Sequence, residues 1–523
     1  MRLVGLLLLL LWACVCGEVL AEGSRRPWPS SILGKPGSGS VVFDFPIGCD
    51  FSGFFVEMMG LLVAVPEARF PTLESCSPSF VSSLAQDRAL VTTAAASSTA
   101  LRLAGVPLNA KVVVRLHSVG SACPKAPVRS LFVVRTMSEA DQVPQSDLAC
   151  FRSGHVDALF VPTSCHARLY RDAMKQGERA RPLSLPPPPV YVVGETVNMK
   201  VFSPTKRERR FRAKRQLTLI ARECDTHDTS FARVRRCAPP RARGKGDHFV
   251  VFSNSRFSRA KGVPQLLRAW WDAFAADRAC KGGERISAAS RVELRLRAYV
   301  PGWGPFDRRH RSARDALRAV AARYLDERCE DGGRGDVARL LEVVTLVPHL
   351  TRAELAREYH GAAAFALASG GEGWGLPPME AIAAGVQTVI VTDAAAFSAE
   401  EHYVKRTGAA AAAAAAAAVA NLTGDGKCPS TEECCAHVVA IPCEGRRDGF
   451  CLADVGALAE EIVAARARWE RQAEQGCPPQ CQACRLAARR ALEDEFGSHA
   501  LRSALIDRLV DVVEGAETRR DEL

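Results

Sequence analysis

The chain has 523 residues, 47% of them hydrophobic and 24% charged, and a formal net charge of +11. That length predicts two or three domains with cores of their own. The positive charge comes without an aromatic-interleaved basic module, which excludes a nucleic-acid-binding protein as the reading of the charge.

At the N-terminus Arg2 precedes an apolar run from Leu3 to Val15, broken by Gly5, with small residues near Ala21 and Gly23. A charged start, a short apolar core and a small-residue exit predict a secretory signal peptide over residues 1–23, cut between Gly17 and Gly23. The competing reading is a membrane anchor, but the run is shorter than the ~20 apolar residues that span hydrocarbon. A Gly/Ser/Pro linker follows over residues 34–40. From Val41, short apolar runs alternate with helix-like stretches. Residues 111–116, 130–134, 156–161 and 189–193 read as buried strands and 167–177 as a helix. Such alternation predicts parallel βαβ units, and the first domain is placed at 41–204.

Residues 205–247 hold two basic runs, 206–215 and 239–246. They read as a solvated linker or insertion, or as a patch that meets a phosphate-bearing or acidic acceptor. A second alternating domain is placed at 248–456. Its strands are expected near 248–252, 292–300, 343–347, 363–368 and 388–391, with helices near 263–276, 312–328 and 352–359. Residues 409–418 are nearly all alanine, a run that is helical by propensity. Residues 457–519 form the C-terminal helical segment, read as helical from 457 to 514 with a cysteine cluster inside it. The expected fold class is therefore α/β, two Rossmann-like domains facing a cleft, followed by C-terminal helices. Ligands of open parallel sheets bind outside the strand ends.

The last four residues, Arg520-Asp521-Glu522-Leu523, differ from the Lys-Asp-Glu-Leu retrieval tail by one cation for another. The expected partner there is a retrieval receptor, and the expected place is the lumen of the endoplasmic reticulum, in soluble form. Cysteine usage agrees with an oxidising lumen. If Cys14 and Cys16 leave with the signal, 17 of the 19 cysteines remain, an odd number, so at least one does not pair within the chain. Cys428, Cys434, Cys435, Cys443 and Cys451 crowd one stretch, and Cys477, Cys481 and Cys484 another. The second spacing could hold zinc, but it lacks a suitable fourth ligand beside it, so disulfides are the favoured reading. Asn421-Leu422-Thr423 is a glycosylation sequon.

The chemistry is concentrated in residues 370–381, Gly-Gly-Glu-Gly-Trp-Gly-Leu-Pro-Pro-Met-Glu-Ala. A strand runs into a Gly-rich turn, and the turn delivers a helix with prolines in its first turn, where missing N–H groups cost little. Glu372 in the turn and Glu380 in the helix opening can aim at one cleft. Carboxylates accept hydrogen bonds from vicinal hydroxyls of a sugar or ribose, and Glu380 also gains from the helix dipole. The plainer alternative is helix capping plus a structural glutamate. A second cluster, Arg256-Phe257-Ser258-Arg259-Ala260-Lys261-Gly262, follows a strand and precedes a helix. Fixed cations there can hold an anion, and the helix opening near Val263 adds N–H groups; the plainer alternative is a basic loop plus a packing helix. Leu266, Leu267, Trp270 and Phe274 are assigned to the core.

Residues 372–380 resemble the Glu-x7-Glu motif of the family-4 retaining glycosyltransferases, which have the GT-B fold. Residues 381–386 and the Arg256/Lys261 spacing are similar to that family too. The resemblance implies that Glu372 faces the donor sugar, Glu380 the nucleotide ribose, and Arg256 and Lys261 the donor diphosphate. Gly373, Trp374, Gly375 and Leu376 belong to the same donor-binding turn. Softer likenesses place Gly53 in a first loop facing the diphosphate and His117, after the 112–116 strand, near the reacting sugar; a structural histidine is the equal alternative. The chain departs from the family at Ser255, where Gly is usual, at Gln387, where Pro is usual, and in the loop 393–397, which lacks the usual glycines.

The implied reaction moves a sugar from a nucleoside-diphosphate sugar to an acceptor hydroxyl on a glycan, protein or lipid. Configuration is retained and no metal is used; no Asp-x-Asp lies near a strand end, and no cofactor beyond the nucleotide-sugar co-substrate is expected. The alternative is a non-catalytic lumenal sugar- or glycoprotein-binding relative, which the changed loop after Asp393 favours. A glycan phosphorylase of related fold is a third reading, with no feature that calls for it.

Overall fold

The computed structural model describes residues 27–33, 35, 40–44, 60–61, 64–65, 68, 110–116, 130–138, 142–152, 155–180, 186–202, 248–258, 260–281, 292–299, 312–329, 335–348, 350–393, 437–447, 450–475, 489–490 and 492–521. The expected signal segment, Gly53, His117, the basic stretch 205–247, the alanine run, the sequon, the cysteines at 477, 481 and 484, and Glu522-Leu523 lie outside the described residues. The chain divides into two compact units, residues 1–198 with 493–523, and residues 199–492.

In the first unit β1 (Val41–Asp44), β2 (Val112–Leu116), β3 (Leu131–Arg135), β4 (Ala158–Val161) and β5 (Val190–Val192) lie side by side in that order, each pair parallel. Their continuous Val, Leu and Phe runs are what strands covered on both faces require. Alternate residues feed two cores. Val112, Val114, Val133, Ala158 and Phe160 join one; Val113, Phe132, Val134, Leu159 and Val161 join the other. The second core is closed by Leu148 and Phe151 of α1 (Gln145–Phe151) and by Tyr170 and Met174 of α2 (Ser164–Ala180).

The second unit opens with α3 (Met199–Phe202) and carries β6 (Phe249–Arg256), β7 (Val292–Tyr299), β8 (Val344–Leu346), β9 (Ala364–Leu367), β10 (Thr388–Thr392) and β11 (His437–Ile441). The sheet order is β11-β10-β9-β6-β7-β8, parallel throughout. The connections move one way from β6 to β8 and the other way from β9 to β11, so the order reverses between β6 and β9. Among the helices that accompany these strands are α4 (Val263–Phe274), α5 (Ala313–Arg328), α6 (Arg352–Gly361), α7 (Leu376–Ala383) and α8 (Val455–Gln475). Phe249, Val251, Leu294, Leu296, Ala364 and Ala366 share one core with α4, α5 and α8. On the opposite face Phe252 and Phe365 pack on Tyr359 of α6, with ring centroids 5.0 and 5.6 Å apart. The α/β class expected from the alternation is thus the observed class.

Leu266, Leu267 and Trp270 are buried as expected and Phe274 packs beside them. Trp271, adjacent to Trp270, is buried as well. Both indoles find partners: Trp270 donates to the Val343 carbonyl at 3.1 Å and Trp271 to the Leu340 carbonyl at 3.0 Å, which makes burial of a polar ring affordable.

Within the stretch expected to be helical from 457 to 514, two long helices among the described residues have different roles. Leu458, Ile462 and Ala465 of α8 enter the core around α4. Leu501, Leu505, Ile506, Leu509 and Val512 of α9 (Ser498–Asp521) enter the first unit's core beside Val41 and Val112. The apolar residues of each helix match a different sheet. The sequence also did not mark β11, nor the antiparallel hairpin of β12 (Cys443–Arg447) and β13 (Phe450–Ala453). Disulfides join Cys280 to Cys329 and Cys443 to Cys451, and Cys150 is also disulfide-bonded. Among the described residues no helix is long and apolar enough to cross a membrane.

Candidate functional site

The strand order reverses between β6 and β9, and in open α/β sheets the carboxyl ends of strands at such a reversal flank the crevice where ligands bind. Two loops emerge there: residues 257–262 after β6 and residues 368–375 after β9. Both carry the sequence-predicted residues. Arg256 is the last residue of β6 and is half-buried. Lys261 and Gly262 lead into α4; Gly373, Trp374 and Gly375 are buried in the turn before α7, and Leu376 opens that helix.

The two loops are locked at the backbone. Gly262 has φ +60°, and a Cβ there would lie 1.7 Å from the Ala368 carbonyl oxygen. Only glycine permits that conformation and that approach together. Gly370 donates to the Ala260 carbonyl at 2.7 Å. The Ser369 hydroxyl donates to the Gly371 carbonyl at 2.8 Å, and the Thr392 hydroxyl donates to the Ser369 carbonyl. The β12–β13 hairpin braces the same turn: the Cys451 N–H donates to the Gly370 carbonyl at 2.9 Å, and a Cβ on Gly370 would lie 2.3 Å from the Cys451 carbonyl oxygen.

Two helices point their N-termini from these loops. The residues preceding them, Gly262 and Gly375, are both left-handed, at φ +60° and +79°, and neither supplies a side-chain cap. Pro377 and Pro378 fall in the first turn of α7, as expected. At its other end Gly385, at φ +73°, donates to Ile382 at 2.9 Å while Val386 donates to Ala381 at 3.0 Å, a Schellman closure. Gln387, in the place where proline was the pattern, is buried between this closure and β10.

Lys261 is 6% exposed. Its ammonium donates to the Gly371 carbonyl at 3.0 Å and to Glu372 Oε1 at 2.9 Å. The cation on one loop and the carboxylate on the other therefore meet at this reversal. Glu380 is 2% exposed and buried among other partners. Arg352, at the start of α6, donates to Glu380 Oε1 at 2.5 Å, and the Tyr359 hydroxyl donates to Oε2 at 2.9 Å. Asn254 Nδ2 donates to the Tyr359 oxygen at 3.3 Å, and Arg297 donates to Asn254 Oδ1 at 2.7 Å. Burial, with the Glu380 carboxylate beside it, raises the Tyr359 hydroxyl well above its ordinary pKa. It is a proton donor to Glu380 across the accessible pH range.

The structure thus joins Lys261 with Glu372 and gives Glu380 a separate set of partners. Arg352, Tyr359, Asn254 and Arg297 escaped the sequence reading. Arg352 follows the Thr351/Glu354 capping box, which marks its helix position but not its target. Among the described residues no group of three or more His, Cys, Asp or Glu is placed to hold a metal ion.

The staple across the hairpin gives a direct expectation. Cys443→Ser/Cys451→Ser should lower thermal stability, by up to the ~2–4 kcal/mol typical of a lost disulfide, and loosen the turn at Gly370. Hydrogen exchange at the Cys451 amide is the measurement. Unchanged protection of that amide would show that the hairpin braces the turn without the disulfide.

No protein-family model matches the chain, and no curated protein matches it. Solved structures are similar to the chain at low identity, among them the following three. HepE of Anabaena, solved in complex with UDP and glucose, is 10% identical, with 90% of this chain and 99% of that one covered and a TM-score of 0.47. A glycosyltransferase of Rickettsia africae is 10% identical, with 90% and 98% covered and a TM-score of 0.46. Sucrose-phosphate synthase of Thermosynechococcus elongatus is 13% identical, with 91% and 99% covered and a TM-score of 0.47.

Proposed function

We propose that residues 199–492 bind a nucleoside-diphosphate sugar and that the chain is a glycosyltransferase, moving the sugar to an acceptor hydroxyl with retention and without a metal. The observation that carries this reading is the meeting of Lys261 and Glu372 at 2.9 Å where the strand order reverses. A cation suited to a diphosphate and a carboxylate suited to sugar hydroxyls sit side by side, each on a loop locked by glycine.

In the proposed reaction the bond from the anomeric carbon to the diphosphate breaks, and negative charge builds on the leaving phosphate oxygen. Lys261, Arg256 and the uncapped N–H groups opening α4 stabilise it. When the diphosphate takes up Lys261, Glu372 is released toward the donor sugar. The acceptor hydroxyl attacks from the face the diphosphate leaves and gives up its proton to the departing phosphate oxygen, so no carboxylate base is required. His117 and Gly53 are proposed contributors from residues 1–198. The proposed setting is the lumen of the endoplasmic reticulum.

The test follows release of UDP, GDP or ADP from their radiolabelled glucose, mannose and N-acetylglucosamine conjugates in the presence of EDTA. Release from one donor, abolished in Glu372→Gln, is the expected result. Intact donors throughout, from a protein that still binds the free nucleotide, would favour the non-catalytic binding protein instead.

A further inference from the structure

Resting on the donor reading above, we propose that Arg352 and Tyr359 are positioning residues that set recognition of the donor's ribose by aiming Glu380. The hydrogen-bonded chain has one permitted polarity. Arg297 can only donate, so Asn254 presents its oxygen to Arg297 and its NH2 to Tyr359. The Tyr359 hydroxyl, accepting from Asn254, donates its own proton to Glu380 Oε2. Arg352, also donor-only, takes Oε1. A carboxylate has about four acceptor sites, and each Glu380 oxygen spends one here. The remaining capacity has a fixed direction, because both oxygens are held and the carboxylate cannot turn.

The packing reinforces that direction. Tyr359 is fully buried, with its ring against both Phe252 and Phe365. The Arg352 guanidinium lies 4.7 Å over the Phe202 ring. The Arg352 side chain is 13% exposed against 2% for Glu380, so Arg352 is the more solvent-exposed of the two. A cis-diol with two donors fits two aimed acceptors; a deoxyribose, with one donor fewer, leaves one unmet.

The experiment titrates wild type, Tyr359→Phe and Arg352→Ala with UDP, GDP and ADP, with their 2′-deoxy counterparts and with inorganic pyrophosphate. Wild type should prefer one ribonucleotide over its deoxy form by about tenfold or more, the scale of a hydrogen bond to a charged group. Each variant should bring that ratio toward one while pyrophosphate binding stays at the wild-type level. A loss confined to general stability would lower all affinities together and leave the ratio intact. Wild-type ratios in both variants would overturn the positioning role while the donor site stands. Arg352→Ala decides the matter should Tyr359→Phe fail to fold. If wild type binds no nucleotide at all, the donor reading fails and this role falls with it.

Discussion

Gly262→Ala should destabilise residues 199–492 by about 2–5 kcal/mol and remove nucleotide binding, from the sum of a left-handed alanine and an overpacked contact. The backbone at 262 has φ +60°, and the new Cβ would sit 1.7 Å from the Ala368 oxygen and 2.6 Å from its carbonyl carbon. Neither atom is the end of a flexible side chain, so relief requires the loop after β6 to part from the loop after β9. Lys261 is the preceding residue, and Gly371 and Glu372 are its partners. The displacement therefore opens the loop junction at the point where the cation is held. Gly515→Ala supplies the contrast. It lies within α9, and its added Cβ meets nothing within 4 Å. Removing a helical glycine there should stabilise by roughly 0.5–1 kcal/mol. Thermal unfolding of both variants, with and without nucleotide, checks the pair; equal behaviour would show that the loop junction is not a constraint.

Lys261→Ala is the second large effect. It removes the cation proposed to meet the diphosphate, and it leaves Glu372, 13% exposed, without that partner. A lost hydrogen bond to a charged group corresponds to ~1.5–3 kcal/mol, or about 10–100-fold in nucleotide affinity. Turnover should fall further, by the ~10²–10³-fold seen when a group stabilising developing charge is deleted. Stability falls too, since a carboxylate is left in a poorly solvated place. The double variant Lys261→Ala/Glu372→Gln separates the two consequences. It should recover stability by neutralising the carboxylate but should not recover nucleotide binding. Recovery of both would mean that Lys261 is structural and meets no ligand.

The strands were legible because a parallel sheet buried on both faces writes itself as continuous apolar runs. The 112–116, 158–161 and 388–392 runs needed no tertiary information, whereas 292–299 was legible by alternation, with Glu293, Arg295 and Arg297 set between apolar residues. The Gly-rich turn and the Arg256–Lys261 loop were legible for a related reason: a strand, a glycine and a helix start in succession fix a local geometry. The Glu380 partners were not. Asn254, Arg297, Arg352 and Tyr359 come from β6, β7 and α6, and no spacing along the chain links them. Tyr359 reads as one more core aromatic, and Arg352 as a surface cation on a capped helix. Trp271 was hidden by its neighbour: two consecutive tryptophans on an amphipathic helix suggest one inside and one outside. Both are inside because Leu340 and Val343 offer carbonyls to the two indoles. The pairing of Cys443 with Cys451 was equally illegible within a stretch crowded with cysteines.

The most direct test of the donor site is a thermal-shift series with UDP, GDP and ADP in EDTA, run on wild type and Lys261→Ala. A nucleotide at about 100 times its Kd adds ~2.7 kcal/mol to the folded state. One of the three should raise the wild-type melting temperature, and the same nucleotide should leave Lys261→Ala unmoved. A cooperative melt that none of the three shifts, or a shift that Lys261→Ala retains in full, would contradict a diphosphate site between β6 and β9.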